Sequence, residues 1–148
     1  MILMTGTAII LSLLAYFIPK QLTRSEMYTT SLFAVVLNLV TDIFLDLKWN
    51  LYGYFDKGVD WENLIAILGI YPAVNIIFLN FFPVAKSLTK KTCYIFGWSI
   101  FGVVYEWIAL QTEFFYHNNW SLLYSAVIYP ILYLFLYFNW KIVREFFT

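Results

Sequence analysis

Asn38, Asp42 and Asp46 stand four residues apart in a stretch made mostly of Leu, Val, Ile and Phe. That spacing puts all three on one face of a helix. Glu106 lies in a second apolar stretch, with Trp98 and Gly102 before it and Glu113 after it on a comparable stripe. Neither stretch contains a Lys or Arg, so no salt bridge within the apolar segments offsets an ionised acid. On insertion scales a carboxylate at a helix centre in a membrane costs ~2.5–3.5 kcal/mol. Such a group must carry a proton, accept hydrogen bonds from Asn, Tyr or Trp, reach water through a cavity, or hold a cation. Asp42, Glu106, Asn38, Asn75, Tyr71 and Tyr129 form the candidate polar, ion-binding cluster. Glue between helices is the competing role for the same acids. Asp46, nearer a segment end, is expected to be solvated.

Other chemistry finds little support. The spacing of Asp42 and Asp46 is similar to a fragment of the aspartate motifs by which membrane prenyl and alcohol-phosphate transferases hold magnesium pyrophosphate. The further aspartates and the basic residues for a diphosphate are missing. No Walker, HExxH, GxSxG or Cys-His pattern occurs. No catalytic residue and no cofactor are therefore expected, and the spacing specifies no metal. His117, a single histidine in a polar loop, reads as a surface residue. Cys93, the single cysteine, reads as a buried structural thiol.

The elements that hold these residues are set by composition. Of 148 residues, 62% are hydrophobic and only 12% charged, against ~25% charged in an ordinary soluble domain. Charge-bearing breaks divide the chain into five runs near the ~20-residue length of a membrane helix, at 2–18, 27–47, 63–85, 92–111 and 121–140. Residues 1–148 thus form a single all-α transmembrane domain, a bundle of five helices. A net charge of zero gives no reason to expect nucleic acid. Lys20, Arg24, Lys86, Lys90, Lys91, Lys141 and Arg144 follow the odd-numbered runs, and only Lys48 and Lys57 lie at the other side. Positive loops stay in the cytoplasm, so the N-terminus is expected outside and the C-terminus in the cytoplasm of a multi-pass cell-membrane protein. At ~1.5 Å per residue, Asp42 and Glu106 lie ~8–9 Å below the outer boundary, at one level, and are expected to face one another as a coupled pair. Trp49, Tyr52, Tyr54, Trp61, Tyr116, Trp120 and Trp140 fall at run ends, as interface anchors do. Residues 48–60, with a turn at Asp56-Lys57-Gly58, read as a short amphipathic element on the outer surface.

From Tyr71 onward the order of features resembles a family of small, uncharacterised multi-pass membrane proteins of Bacillus- and Clostridium-type, endospore-forming bacteria. The resemblance rests on YPAVNIIFLNFFP at 71–83, the Lys-rich break, WSIFGVVYEW at 98–107 and SAVIYPILYLFLYFNW at 125–140, with FIPK at 17–20 like that family's first loop. It implies a five-helix architecture and brings no activity or site residues with it.

Two functions remain. The absence of catalytic patterns favours a non-enzymatic membrane protein that packs with itself or with a membrane-protein partner as an accessory subunit. The alternative is a small oligomeric transport or proton- and ion-binding protein with an outward-facing polar site. The topology is testable without knowing which. In a Cys93→Ser background, a cysteine placed at Lys57 should react with an impermeant maleimide on intact cells and one at Lys90 should not. The reverse pattern would invert the orientation.

Overall fold

Local chemistry sets where each helix starts and stops. The computed structural model describes residues 2–54, 61–113 and 115–147. Its helices are α1 Ile2–Phe17, α2 Arg24–Lys48, α3 Asn63–Asn80, α4 Leu88–Ala109 and α5 Leu122–Phe147. Helix α2 begins earlier than hydropathy predicts because Thr23 and Glu26 form a capping box. The Thr23 hydroxyl accepts from the Glu26 N–H at 3.2 Å, and the Glu26 carboxylate accepts from the Thr23 N–H at 2.7 Å. Helix α3 stops at Asn80 instead of 85, ahead of Pro83, which disfavours helix in the residue before it. Asn80 then holds the link from α1 to α2, donating to the Pro19 carbonyl and accepting from the Gln21 N–H. Helix α5 runs past Trp140 to Phe147, and its last turns dock on the start of α2.

Two stretches widen into π-helix, Ile43–Lys48 at the end of α2 and Ala66–Ile70 within α3. The second precedes Pro72, whose ring would press on the Leu68 carbonyl in a regular α-helix, and a wider turn relieves that contact. The first begins right after Asp42 and carries Asp46, which is half-buried.

After α2 the chain reverses through Asn50, which adopts the left-handed conformation (φ 49°) that asparagine tolerates. Strand β1 (Tyr52–Tyr54) follows and pairs antiparallel with β2 (Phe115–His117), with Tyr52 opposite His117, Gly53 opposite Tyr116 and Tyr54 opposite Phe115. The expected surface element is thus corrected in its described part. Tyr52 and Gly53 are buried, because alternation of aromatic side chains suits a strand closing the bundle better than a helix lying on lipid. The turn expected at Asp56-Lys57-Gly58 lies outside the described residues. Gly53 has no side chain because the Tyr116 ring lies across it.

Four helices, α2 to α5, are long and apolar enough to cross a bilayer. Helix α1 has 16 residues and spans ~24 Å at ~1.5 Å per residue. Ile10, Leu13, Val36, Val40, Ile100, Val104, Val127 and Phe135 point outward along the helices, as they do where lipid is the solvent. Inside, two clusters divide the bundle. At the end carrying most of the Lys and Arg residues, Phe78 is fully buried against Tyr94, Trp98 and Tyr133, with ring centroids 4.7 Å apart for the Tyr133 pair. At the ribbon end a smaller cluster of Met4, Ala8, Ala66, Ile70 and Ala109 brings α1 close to α3.

Glu26 is the hub of the basic end. Only 2% exposed, it takes the Trp140 Nε1–H at 3.0 Å and lies 3.2 Å from Arg144 Nε, while the guanidinium stacks over the Trp140 ring. Trp140 is therefore an interior residue and not the interface anchor expected, and Cys93, expected to be buried, is exposed on α4. Glu26→Ala removes the cap, the indole's partner and the partner of Arg144 together. A loss of about 2–4 kcal/mol is expected in a denaturation titration of the protein in mixed micelles, with Arg144→Met costing less because half-exposed Arg144 remains near water.

Candidate functional site

The site is built around Glu106, which projects from α4 into the bundle and is 4% exposed. Burying an ionisable group in an apolar medium requires compensating donors, and three side chains provide them. The Tyr129 hydroxyl donates to Oε2 at 2.5 Å, the Ser125 hydroxyl donates to Oε1 at 2.7 Å, and His117 Nε2 lies 2.7 Å from Oε1. Ser125 in turn accepts the Trp120 indole N–H at 2.8 Å. Ser125 and Tyr129 are four apart on α5, so both reach the same carboxylate from one helix face. Their approach depends on Gly102, one turn before Glu106. A methyl group there would sit 3.0 Å from the Tyr129 ring.

Asp42 has a smaller shell. The Tyr52 hydroxyl donates to Oδ1 at 2.8 Å, and Asn38 donates to Oδ2 at 3.0 Å from one turn back on α2. Tyr54 and Tyr71 bring their hydroxyls within 3.3 Å of each other beside it. Burial, followed by the charge of Asp42, pushes the Tyr52 phenol far above its ordinary value. Burial also raises Tyr54, with Tyr71 and then Asp42 as the next causes. Both phenols remain hydrogen-bond donors through the range near pH 10 in which an exposed tyrosine ionises.

These two acids meet through the ribbon. Tyr52 and His117 are opposite one another across its two strands, and each binds one carboxylate, Tyr52 to Asp42 and His117 to Glu106. No hydrogen bond joins the acids directly among the described residues. Beneath the ribbon lies a cavity of about 230 Å³ walled by all five helices and both strands.

Of the six residues expected to cluster, Asp42, Glu106, Asn38, Tyr71 and Tyr129 line this cavity. Asn75 does not. It is fully buried between α2 and α3 and donates to the Thr30 hydroxyl at 2.9 Å. Asp46 is half-buried and does not line the cavity, and Glu113 is exposed beyond the end of α4.

Sequence reasoning missed Tyr52, His117, Trp120 and Ser125. His117 is not the surface residue expected, since its side chain is 13% exposed and in contact with Glu106. Tyr52 is likewise not an interface anchor but a ligand of Asp42. The only signal was the aromatic-rich composition of Tyr-Gly-Tyr and Phe-Tyr-His, two short segments at one end of the bundle that pair as strands.

No family model, curated protein or solved structure matches the chain.

Since the ribbon is held at both strands by acids, weakening either hold should loosen the other. Tyr52→Phe removes the Oδ1 donor and His117→Ala the Oε1 contact, each at about 1–3 kcal/mol. Hydrogen exchange should quicken at the Gly53 and Tyr116 amides in both variants. Exchange confined to the mutated strand would show that the strands are held independently.

Proposed function

We propose that the chain is a small membrane-embedded binding protein that takes up a cation or proton between Asp42 and Glu106, in a site facing the ribbon end. One observation carries this reading: two buried carboxylates from different helices open on a single cavity that no Lys or Arg lines among the described residues. An accessory subunit that used its polar faces only for packing against a partner would present them on the outside of the bundle. Here they turn inward, while the outer faces are apolar. The inward arrangement favours binding or transport over packing alone.

The remaining features join the same proposal. We read α1 as a fifth crossing, shortened but apolar, with the N-terminus outside and the C-terminus in the cytoplasm of the cell membrane. Support comes from the basic residues at the ends of α1, α3 and α5, which the positive-inside rule assigns to the cytoplasm. The site then faces the exterior. Five helices are few for alternating access, so transport would require a homo-oligomer or a membrane-protein partner. The order of motifs from Tyr71 onward supports placing the chain with the small multi-pass proteins of endospore formers that it resembles.

Mass action supplies the test, because any ligand that binds the folded state alone raises the unfolding midpoint. Protein in lipid nanodiscs should be melted across a panel of inorganic and organic monovalent cations. At least one is expected to raise the midpoint by several degrees, an effect lost in Asp42→Asn and Glu106→Gln. A panel without effect, or a shift that survives both substitutions, would defeat the reading.

A further inference from the structure

We propose that the ligand is a small organic ammonium ion carrying an apolar or aromatic body, held with its charged nitrogen between Asp42 and Glu106. This rests on the cation-binding reading above and narrows it to a chemical class.

Size is the first argument. An apolar cavity of roughly 150 Å³ accommodates one benzene molecule, and this one measures about 230 Å³. It is far larger than a bare metal ion needs and fits a molecule of about ten non-hydrogen atoms.

Wall chemistry is the second. A hard metal ion takes six or more oxygen ligands, and zinc takes a tight set of His, Cys or carboxylate donors. Among the described residues, no three His, Cys, Asp or Glu side chains come together in that way. The walls are aromatic instead. Phe101, Tyr105, Trp120, Tyr129 and Tyr133 present rings to the cavity, and ring faces attract an alkylammonium once it has left water. A hydrated inorganic ion would find few partners on such walls.

Charge and acceptor capacity are the third. His117 is the one basic side chain bonded at the site, facing two carboxyl groups, and no Lys or Arg lines the cavity among the described residues. An ammonium ion therefore meets acids there and no competing fixed cation. A carboxylate offers about four acceptor sites, and the protein donors described above occupy three on Glu106 and two on Asp42. With Tyr54 as a third donor to Asp42, each acid keeps about one lone pair for the N–H donors of a primary ammonium.

The experiment compares three probes on the protein in nanodiscs by calorimetry: phenethylammonium, the neutral 2-phenylethanol of the same shape, and sodium ion alone. Phenethylammonium should bind, with the alcohol weaker by tenfold or more, since it forfeits the charge-assisted bonds. Glu106→Gln and Asp42→Asn should each reduce ammonium affinity about tenfold or more. Should either variant fold poorly, Leu132→Trp fills the cavity from its apolar wall with both acids intact, and it too should abolish binding. Equal affinity for alcohol and ammonium would overturn the proposal, as would ammonium binding that survives Leu132→Trp. If sodium binds with dependence on Glu106 and phenethylammonium does not, the ammonium class falls while the cation site stands. If no cation binds, both fall.

Discussion

A carboxylate in hydrocarbon is tolerated only when donors surround it, and meeting that requirement at Glu106 organises the ribbon end of this protein. Its donors come from β2 and from two positions on α5, so the acid fixes how α5 is rotated against α4. His117 brings β2 inward, and β2 carries β1 with it by pairing. Tyr52 on β1 then reaches Asp42 on α2. One requirement, propagated through side chains of about the right length, thereby joins α2, α4, α5 and two loops that hydropathy alone leaves unrelated. Gly102 is the steric condition for the arrangement, because a side chain there would push Tyr129 off the acid.

The opposite end of the bundle is built differently. Helices in lipid gain no hydrophobic driving force from meeting one another, so close packing and hydrogen bonds must hold them. Around Phe78 the rings of Tyr94, Trp98 and Tyr133 interlock, and Phe82 stacks on Tyr137 at 4.4 Å. Glu26, Trp140 and Arg144 tie the first turn of α2 to the last turns of α5. Large flat side chains fill this half. In the ribbon half, rings of Tyr52, Tyr54, Phe115 and Trp120 close the end, while small residues bring α1 against α3 where Gly69 meets Ala8, and it is there that the cavity remains.

Hydropathy and charge made the helices legible because a membrane imposes a length and a polarity on every crossing. The boundaries were less so. Glu26 looked like a loop charge until its capping box and its bond to Trp140 gave it a place inside α2, and α5 could extend to Phe147 because Arg144 had that partner. The four-residue spacing correctly paired Asn38 with Asp42, while Asp46, nearer the segment end, is half-buried outside the cavity lining. Asn75 failed for another reason. Sequence gives the face of a helix but not which neighbour that face meets, and Asn75 meets Thr30. The ribbon was hidden because three-residue strands carry almost no periodic signal and their partner lies more than sixty positions away.

An apolar side chain at 106 would pack into lipid-like surroundings with no need of donors, and burying an acid usually costs more than its bonds return. The chain instead commits His117, Ser125, Tyr129 and, through Ser125, Trp120 to one carboxylate beside a cavity. Such an arrangement adds little to packing that an aliphatic residue would lack, whereas it does hold a carboxyl group at a fixed point. The same acids also hold the ribbon that covers the cavity. Because Tyr52 and His117 face each other across two short strands, neutralising either carboxylate weakens one anchor of a pair that is already linked by backbone hydrogen bonds. The carboxyl groups that line the cavity are thus the same groups that fasten the ribbon above it.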